Sequence, residues 1–579
     1  MLCTVTGLKT SHNIQIYTFT YNYSLTHICY KGCLHDAIEA LSYRMEDNEE
    51  TENIAIGIDL GTTSCCMAVF HNNTVEIIPN TYGGNYTPSY VYIGEDGEKV
   101  GLAAKEESFQ SPDRTYYNIK RLIGLSCNDE TVQASVQRLP FKVLNFRNVP
   151  KLIINGDYCH PEQITAKLLY HLRKQAEKYL RRKITETVIA VPVHFNEGQR
   201  QATKDSAAIA GFKNIRVIND STATAISYCH QKCPSRKETI LIFDLGGSFL
   251  DVAVATVENQ NIKIVAVGGD TNLGGDEIDR SILEWCNQKL KLNLENGTRT
   301  CFTNERIQAW KKLQILRDQC ENVKINLSDS QFDSLQLNFL HNERIVISRD
   351  NLDTLNIKLY QKCINSIDQV ITDANISKGE IDEIILVGGS SKTPQLRQMI
   401  SEYFGGKPLY SQLNEDQAVA RGSAIAANSI FGGKQNNISF RDVVSVPIGI
   451  QLIQPGTNVR YFQPVIRKNF KLPCSKFICS KTRESGQVPV FIIRQGHDFD
   501  DVYKNYLIGE FHGENLPLKF PQGTNFFLTL HVNEEGMVDL EAMYETKFKS
   551  GKIQLKRMNS SRLSLGDVVR LRITELCLT

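Results

Sequence analysis

Two stretches of this chain could bring carboxylates to a phosphate. Ile56-Gly57-Ile58-Asp59-Leu60-Gly61-Thr62-Thr63 recurs in altered form 185 residues later as Leu241-Ile242-Phe243-Asp244-Leu245-Gly246-Gly247-Ser248. In both, an apolar run delivers an aspartate and then glycine into a tight turn. Glycine lets the backbone approach an anion that a side chain would keep off, and neighbouring amides can point at its oxygens. Thr62 and Thr63 add hydroxyls. Asp59 and Asp244 would repel phosphate directly, so their use would be to hold Mg2+ and its waters, an ion that favours carboxylate oxygen and stays partly hydrated. One such turn reads equally well as an ordinary β-turn. The second copy, and a third glycine turn at Val387-Gly388-Gly389-Ser390-Ser391, favour a nucleotide cleft.

The elements that must position these turns read as alternating strands and helices. Short strands are expected at 54–58, 65–70 and 75–78. A helix follows over 161–182, with Pro161 suited to its first turn and Ile164, Leu168, Leu169 and Leu172 on one face. Then come a strand at 187–191 and a helix over 197–210 ended by Gly211. Around the second turn, strands at 240–243, 251–257 and 262–267 lead into Leu273-Gly274-Gly275-Asp276 and a helix, and a strand at 381–387 enters the third turn. Such alternation is α/β architecture, with two similar halves placing the phosphate site between them. Residues 431–442 have linker composition. From 443 to 579 short strands and turns predict a separate all-β module, whose final strand-like segment at 568–573 leaves no room for a helical subdomain. Residues 1–52, rich in Tyr, Thr and Asn with an acidic end, show neither strand alternation nor a long helical stripe and read as a poorly ordered extension.

Size and composition bound the rest. A chain of 579 residues is too long for one core and suggests roughly three or four domains. Hydrophobic and charged fractions of 41% and 22% describe a globular protein, and a formal charge of +1 gives no field for nucleic acid or an anionic membrane. No apolar run approaches the ~18–20 residues that span a bilayer, and no secretory pattern follows Met1, so a cytoplasmic or nuclear setting is the expectation. Sixteen cysteines without paired CxxC halves argue against structural zinc. On spacing alone Lys105 is a surface helix lysine, and Glu321 and Lys324, three apart, are a surface ion pair.

Taken together, the longer motifs resemble the Hsp70 chaperone family of the actin-like ATPase superfamily. The resemblance runs from about Ile54 to the terminus through IGIDLGTTSCCMAVF at Ile56, NIKRLIG at Asn118, VPVHFNEGQRQATKDSAAIAGF at Val191, IFDLGG at Ile242, GDTNLGGDEID at Gly269 and ILVGGSSKTPQLR at Ile385. It implies a two-lobed ATPase domain over 54–430 and a β-sandwich substrate-binding domain after it, with ATP or ADP and Mg2+ as cofactors. By resemblance Asp59, Asp244 and Asp251 surround Mg2+ and the attacking water, and Lys105 is the cation near the γ-phosphate. Gly61, Thr62, Thr63, Gly246 and Gly247 hold phosphates, while Gly388, Gly389, Ser390, Glu321, Lys324 and Asp416 surround the nucleoside. Pro192, Arg200 and Asp220 match a relay toward the β domain. Expected partners are a J-domain cochaperone, a nucleotide-exchange factor, and unfolded polypeptide or a ribosome, with no nucleic acid or membrane bound directly.

Several residues depart from the family pattern. Its GGGTFD loop here is Gly246-Gly247-Ser248-Phe249-Leu250-Asp251, with Phe249 in place of a threonine that faces the γ-phosphate region. Ile325 stands for an arginine that stacks on the base and Lys392 for a second base-side arginine; Asp220 and Ser221 replace Glu-Pro in the relay. The linker run Asn437-Ile438-Ser439-Phe440-Arg441-Asp442 keeps Ile438 and Phe440 to dock while Ser439 and Arg441 face water. Pro489 falls near the valine that shapes the family's peptide pocket. These features imply an ATP-binding Hsp70-like chaperone or cochaperone of cytosolic folding, with weak hydrolysis and peptide clamping, similar to lid-less ribosome-associated members. The alternatives are a conventional peptide-stimulated chaperone ATPase and a catalytically silent scaffold for a J-domain protein, ribosome or other chaperone.

Overall fold

The computed structural model describes residues 4–9, 15–21, 25–30, 54–290, 304–339, 343–432, 438–454, 457, 459–482, 490–514, 520–547, 549–558, 563 and 565–578. By its contacts the chain divides into Ile54–Val569 and a second unit made of Met1–Asn53 with Arg570–Thr579.

Within Ile54–Val569 an actin-like α/β core is built on two sheets of like design. In the first, strand Ile56–Leu60 lies between the parallel Glu186–Val191 and the antiparallel Ser64–His71. In the second, Glu238–Leu245 lies between the parallel Glu383–Val387 and the antiparallel Leu250–Glu258. These strands are buried on both faces, so they read as continuous Val/Ile/Leu runs rather than alternating ones. Each aspartate falls at the end of its central strand, where the chain turns. The antiparallel register sets Asp251 directly opposite Asp244.

Helices follow where the sequence caps them. Helix Glu197–Ile209 starts at Asn196, whose side chain accepts from Gln199 N at 2.9 Å while Gln199 Oε1 accepts from Asn196 N at 3.1 Å, satisfying two orphan amides at once. Helix Pro161–Leu180 buries Ile164, Leu168, Leu169 and Leu172, the face its spacing marks.

The β module is an eight-stranded antiparallel sandwich between Ile448 and Met558, closed over a core of Ile448, Ile508, Phe526, Leu528 and Leu540. Strand Val538–Glu545 buries every second side chain, as a sheet with one wet face requires. The connecting strand Ser439–Arg441 joins the second core sheet, pairing in parallel with Asn261-Ile262-Lys263. Ile438 is buried, Phe440 packs on the same core, and Ser439 and Arg441 are exposed. Pro489 and residues 433–437 lie outside the described residues.

One expectation is corrected. Residues 568–573 are not a strand: they sit inside helix Leu565–Leu578. A short apolar run such as Val568-Val569-Arg570-Leu571 carries no period that separates strand from helix, and helix length decides here. In the extension, three strands, Thr4–Lys9, Gln15–Tyr21 and Leu25–Tyr30, pair as an antiparallel meander. Their β-branched and aromatic content favours the pleated state even without a hydrophobic/polar alternation. Among the described residues no helix is long and apolar enough to cross a membrane.

Candidate functional site

The glycine turns of the two sheets open on one cavity of about 920 Å³. Asp59, Asp220, Asp244 and Asp251 converge there, with Gly61, Thr62, Thr63, Gly246 and Gly247 along one wall. Gly247 permits this closeness, because a Cβ there would sit 2.1 Å from Thr63 Oγ1. Gly388 has φ 81° and would place a Cβ 2.6 Å from Asp244 Oδ1, so both conformation and space require glycine.

Four acids in one partly buried pocket cannot all ionise freely. Burial raises Asp244 well above the carboxylate range, and the charges of Asp220, Asp251 and Asp59 raise it further. Asp251 is pushed up to about 8, first by burial and then by Asp220. Asp59 and Asp220 are raised for the same first reason. The Lys120 ammonium lowers all four and donates to Leu60 O at 2.6 Å.

The lysine expected here is Lys105, which pairs with a residue of the cavity lining, Glu321. Lys105 does not line the cavity; it pairs with Asp318 at 3.0 Å and Glu321 at 3.2 Å. A second lysine, Lys120 from the Asn118–Gly124 motif, lines the cavity with the carboxylates. Asn118 adopts φ 56°, turning the chain into a 3-10 helix over Ile119–Arg121 that delivers Lys120 to the cleft. The motif itself was the signal, since it resembles the family as closely as the glycine turns do.

At the far end of the cavity lie Glu321, Lys324, Ile325, Ser328, Gly388, Gly389, Ser390, Lys392 and Asp416. Glu321 and Lys324 line it together yet do not pair with each other. Glu321 takes Lys105, and Lys324 donates to Asp279 at 2.8 Å. Lys392 pairs with Asp416. Ile325 is 55% exposed and offers this end an apolar surface.

Of the three relay residues, Pro192 and Asp220 line the cavity and Arg200 lies behind it. Asp251 Oδ2 accepts from Val193 N at 3.0 Å, and Arg200 donates to Val193 O at 3.3 Å, Phe195 O at 3.0 Å and Asn219 Oδ1 at 2.6 Å. Asn219 then donates to Asp442 at 2.8 Å. Hydrogen bonds thus run without a break from a cleft carboxylate to the connecting segment.

The pocket also fits the ligand its residue types suggest. Thr62 Oγ1, Asp220 Oδ1 and Asp251 Oδ1 are buried with no partner in the protein. Such oxygens are costly to leave unpaired, and a surplus of carboxylate oxygen suits a hydrated divalent cation.

Comparison with known proteins agrees. The profile described as "Hsp70 protein" matches residues 55–572. "Heat shock cognate 70 kDa protein 3" of Dictyostelium discoideum is 34% identical over 532 residues, covering 89% of this chain and 82% of the relative.

This chain belongs to the Hsp70 family. It is an ATP-binding chaperone of protein folding.

Two residues set this Hsp70 apart in its phosphate loop. Ser248 is buried and donates to Asp276 at 2.6 Å, so its side chain turns from the cleft into the wall. Phe249, 9% exposed, meets Phe195 edge-on with ring centres 6.0 Å apart.

In this Hsp70 the β module is seated on the core through paired charges. Arg557 grips the fully buried Glu197 with both terminal nitrogens, at 3.0 and 2.9 Å. Glu197 N donates to Gln495 at 2.9 Å. Glu535 accepts from Lys204 at 2.7 Å, Arg216 at 3.2 Å and Val217 N at 3.0 Å. Asp442 also accepts from Thr222 at 2.5 Å, and Lys468 meets Asp373 at 2.7 Å.

Proposed function

We propose that this Hsp70 binds Mg·ATP between its lobes, hydrolyses it slowly, and passes nucleotide state to the β module through Asp251, Val193, Arg200, Asn219 and Asp442. The observation that carries the reading is the convergence of Asp59, Asp220, Asp244 and Asp251 on one cavity, with two of their oxygens buried and unpartnered. Asp59 and Asp244 would hold the cation largely through water, Lys105 would offset charge on the transferred phosphoryl group, and Asp251 would orient water. The cation would supply the remaining charge neutralisation. Thr62, Thr63, Gly246 and Gly247 would bind phosphates. Glu321, Lys324, Gly388, Gly389, Ser390 and Asp416 would bind the nucleoside.

The reading extends to a cytosolic folding role beside a J-domain protein and an exchange factor, with unfolded polypeptide or a ribosome as the client side. It places the chain near the atypical, ribosome-associated members because Ser248, Phe249 and Ile325 alter the cleft. Calorimetric titration tests it. Heat saturating at one ATP per chain supports it, and no heat at millimolar ATP removes it.

A second reading, a silent scaffold, draws on Phe249 closing the loop wall. Partner capture that survives both Lys105→Ala and nucleotide depletion would favour it, and loss on either change would not.

A further inference from the structure

Two arginines of the β module meet one exposed tyrosine. Tyr503 lies in a single 3-10 turn over Val502–Lys504, between strands Val490–Gln495 and Tyr506–Glu514, and is 62% exposed. Its hydroxyl oxygen accepts from Arg460 Nη1 at 2.9 Å, and the Arg494 guanidinium lies 5.3 Å from its ring centre. Arg494 is only 8% exposed, and its hydrogen bonds go to neutral acceptors, Gln451 Oε1 at 2.7 Å and Asn505 O at 2.9 Å. Among the described residues neither guanidinium forms a salt bridge. The acids nearest in sequence are spent on building the turn. Asp498 Oδ1 accepts from the amides of Asp500 and Asp501 at 3.0 and 2.7 Å, and Asp501 Oδ1 accepts from that of Tyr503 at 3.0 Å. Burying a cation without a counter-charge is costly, and a guanidinium fork matches the oxygens of a phosphate.

We propose that Tyr503 is a phosphorylation site and that Arg460, with Arg494 beneath the ring, receives the phosphate it acquires. The donor is ATP held by a protein-tyrosine kinase. The Tyr503 hydroxyl oxygen bonds to the γ-phosphorus as the bond to the β,γ-bridging oxygen breaks; ADP leaves with that electron pair, and the phenolic proton passes to the kinase's base. The group adds about −1.5 to −2 charges and three acceptor oxygens. Arg460 opens strand Arg460–Ile466 and stands opposite Ile453 in the antiparallel register. A phosphate held by Arg460 therefore ties the Val502–Lys504 turn to the end of the hairpin made by Ile448–Ile453 and Arg460–Ile466. The proposal stands apart from the Mg·ATP reading, since none of these residues lines the cavity between the lobes.

The folded full chain, incubated with a protein-tyrosine kinase and Mg·ATP and mapped by mass spectrometry, tests the acceptor. Tyr503 should carry the phosphoryl group, and Tyr503→Phe should lose that site alone. Phosphorus NMR then tests the clasp. The second ionisation of the phosphate, ordinarily near about pH 6, should have its midpoint about 0.5–1 pH unit lower in the parent than in Arg460→Ala, because a guanidinium favours the dianion. Arg460 is exposed, so its removal leaves the sandwich core intact, and Arg460→Lys should fall between the two. Modification of other tyrosines without Tyr503, or of Tyr503 only after denaturation, overturns the acceptor. Equal midpoints in the parent and Arg460→Ala overturn the clasp.

Discussion

At the cleft, Asp59, Asp220, Asp244 and Asp251 line one cavity with Lys120, and buried oxygens of Asp220 and Asp251 have no protein partner. At the seam with the β module, Glu197 meets Arg557, Glu535 meets Lys204 and Arg216, and Asp442 meets Asn219 and Thr222. Both regions bury acids. Only the seam supplies their partners from the chain itself. An acid left short of partners is costly to folding and points to a ligand, whereas a fully partnered set points to a contact that the chain makes with itself. The path from Asp251 to Asp442 joins the two, so binding at one can bias the other.

The largest expected effect breaks the seam. Arg557→Ala would leave Glu197 buried without its cation, costing the docked arrangement about 3–5 kcal/mol. A pair of distance probes, one in the core and one in the β sandwich, should report separation, and Glu197→Gln in the same chain should restore much of the docking. No separation in Arg557→Ala would show that the seam does not depend on that pair.

Acid should open the same seam. His194 is partly buried with its Nε2 enclosed and unpartnered, and desolvation, then Lys468 and His497, depress it to about 4, while the Gly268 backbone and Asp270 oppose the shift. A depressed histidine stabilises docking above its free value of 6.5, and that contribution is lost as pH falls toward 4. At about pH 5 the loss should be about 2 kcal/mol, or roughly 30-fold in the docking equilibrium. The probes above should show it in the parent and a much flatter profile in His194→Phe.

Smaller effects belong to the cleft. Ile325→Arg should tighten ATP by about 0.5–1 kcal/mol by restoring a guanidinium face for the base, read by calorimetry. Lys105→Ala removes a bridge to Asp318 and Glu321 whose members are 21–24% exposed, and single-turnover hydrolysis should fall by about fivefold, reflecting about 1 kcal/mol. Unchanged hydrolysis in Lys105→Ala would remove Lys105 from the chemistry.

How much of this was legible follows from how local each signal is. The aspartates and glycines of both turns sit beside their strands in sequence, so the repeat at Asp59 and Asp244 placed the cleft, and antiparallel register carried Asp251 to it. Lysines are different. Lys105 and Lys120 both lie near loops, and which reaches the carboxylates depends on the left-handed Asn118 and on packing that spacing does not encode. Glu321 was found, but its partner was not Lys324, because Lys105 stands 216 residues away in sequence. The seam was the least legible. Arg557 is 360 residues from Glu197, and nothing near either marks the other. The helix at Leu565–Leu578 was missed because a short apolar run has no decisive period.

The central claim is that the cleft is built for a nucleotide together with its cation. Calorimetric titration of the full chain with ATP, with Mg2+ and then with Mg2+ chelated, tests it most directly. With Mg2+, one ATP should bind per chain. Without it, affinity should fall by at least about tenfold, since four carboxylates then face bare phosphate. Equal affinity in both conditions, or no binding with Mg2+ at millimolar ATP, would contradict it.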